Sequence, residues 1–278
     1  MDRLDDTIAF AAAAAVEIDR LVLGLNVQVG SRHRVHLLAM ADGIGLDSLW
    51  LLPLSEDWLL DGSFSRAIIR ARLPYTPPDE IDGRLDHLIS LELITEQRGL
   101  MEATPRLRPL LDAMLDARAR VAADLWTGHE REAATIVQLG RLIADRATPE
   151  HVAGVAHRAL ADPVHPFLRL DHRLFTLRYL RQADHVAAWT AAGLSAEQVV
   201  ALTALWNGET SGLDRPALEQ LVERGYATAA PTATDLGRQV RDQIELETNR
   251  RAAATFGALD HAQADAMLSA LHRIPDSV

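Results

Sequence analysis

Leu177-Arg-Tyr-Leu-Arg-Gln-Ala-Asp-His-Val-Ala-Ala-Trp-Thr-Ala-Ala-Gly-Leu-Ser-Ala-Glu-Gln-Val-Val-Ala-Leu202 decides the fold. Its spacing predicts an amphipathic helix, a Gly-Leu stop, a Ser cap and a second helix. A diverged copy runs from Arg32 to Leu52, with His36-Leu-Leu-Ala-Met set against His185-Val-Ala-Ala-Trp at an offset of 149 residues. The sequence downstream of each copy repeats as well. Leu85-Asp-His-Leu-Ile-Ser-Leu-Glu-Leu-Ile94 pairs with Leu218-Glu-Gln-Leu-Val-Glu-Arg-Gly-Tyr-Ala227, and Leu107, Leu111 and Leu115 with Leu236, Val240 and Ile244. His129, Ile136 and Leu139 then match His261, Leu268 and Leu271. The pattern predicts one unit used twice, the second copy being shorter.

In the first unit, residues 7–29 form one long helix or two, and the next helix closes at Gly43-Ile-Gly45. Asp47 caps a helix carrying Leu49, Trp50, Leu51 and Leu52, and residues 53–62 form a loop. Ser63 caps a short helix with Ile68 and Ile69 inward and Arg66, Arg70 and Arg72 outward. After the turn Pro74-Tyr-Thr-Pro-Pro78, Asp79 caps a helix running to about Leu91. Two β-prone pieces, joined by an Arg98-Gly99 tight turn, precede a long helix from Thr104-Pro105 to Trp126 and another over residues 130–144. This is the order of a winged helix-turn-helix. In the second unit the interval between Trp206 and Leu218 is too short for the Arg66-to-Arg72 helix, and the hairpin shrinks to Thr228-Ala-Ala-Pro231.

Composition narrows the chemistry. Hydrophobic residues make up 48% of the 278 and aromatics only 5%, which favours packed helices over a sheet-rich fold. There is no cysteine and all 28 basic residues are Arg, so thiolate sites, a Schiff-base lysine and a Walker-type phosphate loop are excluded. The net charge of −11 disfavours a nucleic-acid partner without forbidding one. The Ala11-to-Ala15 run is flanked by Asp2, Asp5, Asp6, Glu17 and Asp19, unlike a signal peptide, and no apolar run reaches membrane-spanning length. The expectation is a cytoplasmic protein with no membrane partner, monomeric or homodimeric.

The stretch from Leu177 through Leu205 resembles the dimerisation helix and following helix of MarR-type winged-helix regulators. Ala233-Thr-Asp-Leu-Gly-Arg-Gln-Val-Arg-Asp resembles that family's segment after the wing, with Gly237-Arg238 retained and the Leu-Thr replaced. Glu247-Thr-Asn-Arg-Arg-Ala-Ala is similar to the tail of actinobacterial proteins that carry two such modules. The resemblance implies a mostly α fold: two fused, degenerate winged-helix modules with long pairing helices, arranged about a pseudo-two-fold like a MarR dimer. Residues 1–144 form the first module with its N-terminal helix. Residues 145–171 form a His- and Pro-containing surface connector, and residues 172–278 the truncated second module. It also implies a ligand cavity between the pairing helices and the winged cores.

Two functions compete on this reading. In the first, DNA binding has decayed and the cavity takes a small apolar or aromatic molecule. The protein then sequesters it or transforms it as a cofactor-free enzyme of specialised metabolism. His36 and His185 face that cavity as acid/base candidates, with Arg32, His33, Arg181, Asp184, Trp189 and Trp206 around the ligand. No metal site is expected; haem or metal held by His36 and His185 is a minor alternative. In the second, the chain is a ligand-responsive DNA-binding regulator that uses Arg66, Arg70, Arg72 and Arg84. Against it, the recognition-helix equivalents carry Asp79, Glu80, Asp82 and Asp86, and Glu219 and Glu223, which phosphates repel.

Overall fold

A computed structural model describes residues 3–46, 59–60 and 62–277. The expected Asp47 cap and the helix with Trp50 lie outside the described residues. Eleven helices and one small sheet are present among the described residues. They are α1 (Arg3–Gly43), β1 (Ser63–Phe64), α2 (Arg66–Arg72), α3 (Pro78–Ser90), β2 (Ile94–Gln97), β3 (Leu100–Ala103), α4 (Arg108–Trp126) and α5 (Glu130–Ala144). Beyond these lie α6 (Val152–Arg158), α7 (Pro166–Ala191), α8 (Ala196–Trp206), α9 (Arg215–Glu223), α10 (Asp235–Phe256) and α11 (His261–Arg273). No helix among the described residues is long and apolar enough to cross a membrane.

Apolar burial divides into three clusters. The central one joins the first half of α1 (Phe10 to Leu25) to the end of α4, α5, α7, the end of α10 and α11. A second holds Leu37 and Ala41 of α1 with α2, α3, the sheet and the start of α4. A third holds the end of α7 with α8, α9 and the start of α10. Two lobes therefore hang from one helical body, and each grows out of a helix that also builds that body. The helix predicted to break before Arg32 does not break: α1 continues through Gly30 and Ser31 as one element of 41 residues.

In the first lobe the sheet order is β1-β3-β2, antiparallel, with Ile94 opposite Ala103 and Phe64 opposite Met101. The β2–β3 turn falls on Arg98 (φ 54°) and Gly99 (φ 76°), the left-handed pair that a two-residue hairpin requires. Ser63 lies in β1, and Ser65 caps α2 by accepting from the Ile68 N–H. Asp79 lies inside α3, whose start is set by Pro77 and Pro78.

The same backbone devices recur in the second lobe. Leu46 N–H donates to Ala41 C=O at 2.9 Å, and Leu194 N–H to Trp189 C=O at 3.1 Å, beside left-handed Gly45 and Gly193. Thr104 donates its hydroxyl to Glu92 C=O at 2.8 Å, and Thr234 to Gly225 C=O at 2.7 Å, each closing the segment between a helix end and the next long helix. The second hairpin is a single bridge, Ala227 to Ala233, and no counterpart of α2 lies between α8 and α9.

The segment expected to be a surface connector is corrected over α6. His151 and His157 are buried, the latter completely. A Cβ on Gly154 would come within 2.4 Å of a Leu180 methyl carbon, so glycine is what lets α6 close on α7. His157 then stacks on His172 with ring centroids 4.2 Å apart. Thr176 donates its hydroxyl to His172 C=O, so it accepts from His157 Nδ1 at 2.9 Å.

Candidate ligand cleft between the lobes

A cleft of about 750 Å³ opens where α1, α7, α8 and α10 meet. Helical spacing explains its chemistry. Arg181 and His185 are one turn apart on α7, while Arg241, Glu245 and Asn249 succeed one another at four-residue steps on α10. These side chains form the floor. Ala12, Ala15 and Val16 of α1 make one wall and Val199, Val200 and Ala204 of α8 the other. Trp206 stands at the edge, and Tyr75 arrives from the α2–α3 turn of the first lobe. Apolar walls over a few convergent polar groups are the ordinary make-up of a small-molecule site.

Glu245 organises the floor. Its Oε2 accepts from Arg181 Nη2 at 2.7 Å and its Oε1 from Arg241 Nη1 at 2.6 Å. Arg181 also donates to Asn249 Oδ1 at 3.1 Å, and Arg241 Nε to Thr203 Oγ1 at 2.8 Å. Burial alone would push the Glu245 carboxyl up; Arg241 and Arg181 outweigh it and hold the carboxyl below its ordinary value. The Arg181 Nε–H is buried and has no hydrogen-bond acceptor among the described residues.

His185 is held as a neutral ring. Thr248 donates its hydroxyl to Ile244 C=O at 2.7 Å, so at 3.0 Å it accepts from His185 Nδ1, and the lone pair falls on Nε2. Burial drives the ring down to about 4 against the pull of Glu245, with Arg241 and Arg181 adding to the depression. The Tyr75 hydroxyl is pushed up to about 12 by burial, against the opposing pull of Arg178, Arg181 and Arg241, although 39% of the residue stays open toward the mouth.

Of the residues expected around a ligand, Arg181, His185 and Trp206 line the cleft. His36 does not: it is exposed on α1, and His33 is half-buried nearby. Arg32 pairs with Asp124 at 2.9 Å on the surface. The two histidines have unlike surroundings, His36 exposed and His185 buried. The helix stops at Gly45 and Gly193 lie 148 residues apart, and an alignment on them would set His185 against buried Leu37 and His36 against Asp184. One residue of slip on a helix turns a side chain by about 100°. Asp184 is buried against His151, whose Nε2 lies 3.5 Å from its Oδ1 and whose affinity for a proton that carboxylate raises. Trp189 packs in the core of the second lobe. Sequence reasoning misses Tyr75, Arg241, Glu245 and Asn249. The signal for the last three is their common face on α10, which reads equally well as a solvated stripe.

The arginines considered for DNA are engaged. Arg66 Nη2 donates to Asp86 at 2.6 Å and to Glu96 at 2.8 Å, and the Glu96 bond raises its hold on its proton. Arg70 pairs with Asp82, whose carboxyl that bond holds below the usual range. Arg84 lies 3.3 Å from Glu80 one turn away. Arg72 is buried, donating to the Tyr179 hydroxyl.

Comparison with curated proteins and with solved structures gives no match. A family model does match, over residues 90–278, which takes in the β2–β3 hairpin and α4 to α11, and so the whole second lobe, but not α1. On that match, extending over more than half of its length, the chain belongs to a helix-turn-helix family.

Proposed function

We propose that the chain binds a small molecule in the cleft between its lobes and has given up DNA contact. The observation that carries this reading is the cleft itself. Tyr75 from the first lobe meets Arg181, His185, Arg241 and Glu245 from the second over about 750 Å³, between apolar walls. The finer architecture we favour is a MarR-like pair of winged-helix units fused in one chain. Its support is the repeated Gly-Leu helix stop and the repeated threonine bond after the hairpin. Loss of DNA contact is supported by the acidic partners of Arg66, Arg70 and Arg84 and by the burial of Arg72. A sequestering protein or a cofactor-free enzyme fits the same site; in an enzyme, His185 Nε2 is the proton acceptor.

A thermal-shift screen of small apolar and aromatic compounds tests it. Stabilising compounds should lose their effect in Ala204→Trp, which fills the cleft from α8. Compounds that stabilise both proteins equally bind elsewhere, and the reading fails.

Membership of a helix-turn-helix family favours a second reading, a DNA-binding regulator. A specific, salt-sensitive complex with the DNA upstream of its own gene would establish it.

A further inference from the structure

A surface helix ordinarily turns charged and polar residues outward. On α1 the open face is apolar. Ala9, Ala13, Val16, Leu23 and Val27 are all exposed, Val16 at 68%, Leu23 at 51% and Val27 at 65%. With Arg20, Gly30 and Arg34 they follow one another at alternating steps of four and three residues. That is the seam spacing of a coiled coil, and it keeps the stripe on one face for about 38 Å. The charge of Arg20 is already paired: its guanidinium donates to the carbonyls of Leu271 and Ile274, at 2.9 and 3.0 Å, and to Glu17 at 2.8 Å. Gly30 lies in mid-helix, where glycine is a poor helix former. Among the described residues nothing lies within 4 Å of the place its Cβ would take, so no packing within the chain calls for glycine there. Close approach by a second backbone would call for it.

We propose that this face of α1 is an interface between two copies of the chain, the two helices running antiparallel about a two-fold axis midway between Leu21 and Val22. It joins two whole chains, and so differs from any pairing of the two halves inside one. The stripe is self-complementary about that midpoint. Val16 meets Val27 of the second copy, Ala13 meets Gly30, Arg20 meets Leu23 and Ala9 meets Arg34, and each contact occurs twice. Charge selects the direction. Asp5 and Asp6 head the helix, and Arg34 lies near its end. Antiparallel pairing brings both carboxylates to about one turn from Arg34 of the second copy, whereas parallel pairing sets acid beside acid and Arg34 beside Arg34. The net charge of −11 disfavours an anionic lipid surface as the occupant. Val16 also stands at the edge of the cleft, but Leu23 and Val27 lie about two and three turns beyond it, so the stripe is no mere extension of the cleft wall.

The cysteine-free sequence makes disulfide mapping clean. Val16→Cys and Val27→Cys, each placed singly in the full chain, are oxidised with copper-phenanthroline, separately and mixed. A disulfide needs Cα atoms roughly 4.4–6.8 Å apart. Antiparallel pairing puts Val16 opposite Val27 but displaces it by about 16 Å along the helix from its own copy. We expect the mixture to yield disulfide-linked dimer and either variant alone to yield several-fold less. Sedimentation of the wild-type chain at up to about 100 µM should show a species at twice the chain mass of 30.5 kDa. Val16→Glu and Val27→Glu together should return it to monomer. A wild-type chain that stays monomeric overturns the proposal. So does a dimer that survives both glutamates, because its interface lies elsewhere. Equal cross-linking alone and mixed overturns the antiparallel register. A monomer that binds phospholipid vesicles, and loses that binding with the two glutamates, gives the stripe to a membrane surface and overturns the second copy as its occupant. The cysteine variants keep the test decisive where the glutamates disturb folding.

Discussion

Arg72, at the end of α2, donates through Nε to the hydroxyl of Tyr179 on α7, and its guanidinium carbon lies 4.8 Å from the centre of that ring. Gln182, one turn further along α7, donates to the carbonyls of Ala71 and Arg72 at 3.0 and 3.1 Å. The first lobe is thereby fastened to the helical body through a buried charge. Tyr179→Phe removes an acceptor from that charge and should cost about 1.5–3 kcal/mol. Chemical denaturation should show a lower midpoint with an unchanged slope. An unchanged midpoint would mean that the fastening contributes nothing.

His185 should give the protein an acid limb. In the unfolded chain the ring takes a proton near 6.5, while the folded site refuses it down to about 4. The unfolded state therefore binds more protons across that window, and stability falls as pH drops through it, by roughly 3 kcal/mol in all. His151 acts with the opposite sign, because Asp184 raises its proton affinity. Its contribution is complete below 6.5 and fades as pH climbs through the raised value. Denaturation midpoints against pH should show the acid limb flattened in His185→Gln and the alkaline decline reduced in His151→Gln.

Freeing the arginines of the first lobe should restore a general attraction to DNA. The triple variant Asp82→Asn, Asp86→Asn, Glu96→Gln leaves Arg66 and Arg70 without their partners. Its binding to unrelated duplex should fall with salt at a log–log slope near −2, from roughly −0.9 for each phosphate contacted. A wild-type protein that already shows this slope would contradict the account of a self-neutralised face.

Gly237 should tolerate no side chain. A Cβ there would stand 2.0 Å from the Tyr226 carbonyl oxygen, a backbone atom that cannot move aside. Thr234 fixes the approach by accepting from Gly237 N–H at 3.0 Å while donating to Gly225 C=O. Gly237→Ala should cost on the order of 3 kcal/mol, with the loss concentrated in the second lobe. Amide exchange at α8 and α9 would register it. Wild-type exchange rates there would show that the turn can open freely.

Elements are legible in the chain wherever local chemistry alone shapes the backbone. The Gly-Leu stops, the Ser195 cap with Gln198, the Arg98-Gly99 turn and the bounds of α5 all derive from short-range rules. The site is legible only in part, because it depends on which faces meet. Identical letters match His36 to His185, whereas an alignment on the two helix stops sets Leu37 against His185. The arginines of α2 look like a basic patch because their partners sit on α3 and β2, distant in sequence. The histidines of α6 look superficial because nothing local announces that Gly154 admits Leu180. Tyr75 is hidden in a proline-rich turn whose sequence explains the turn and says nothing of what lies across from it.

The unbroken α1 has a mechanical corollary. At roughly 1.5 Å per residue it is a rod about 60 Å long. Its tail end is built into the first lobe through Leu37 and Ala41, and its leading end forms a cleft wall through Ala12 and Val16. The Gly30-Ser31 pair is the one place along it where a Gly-Ser step favours a bend, and the helix nonetheless runs through it unbroken. Widening the cleft at one end is therefore expected to tilt the lobe at the other, with Gly30-Ser31 the point at which the two motions would come apart.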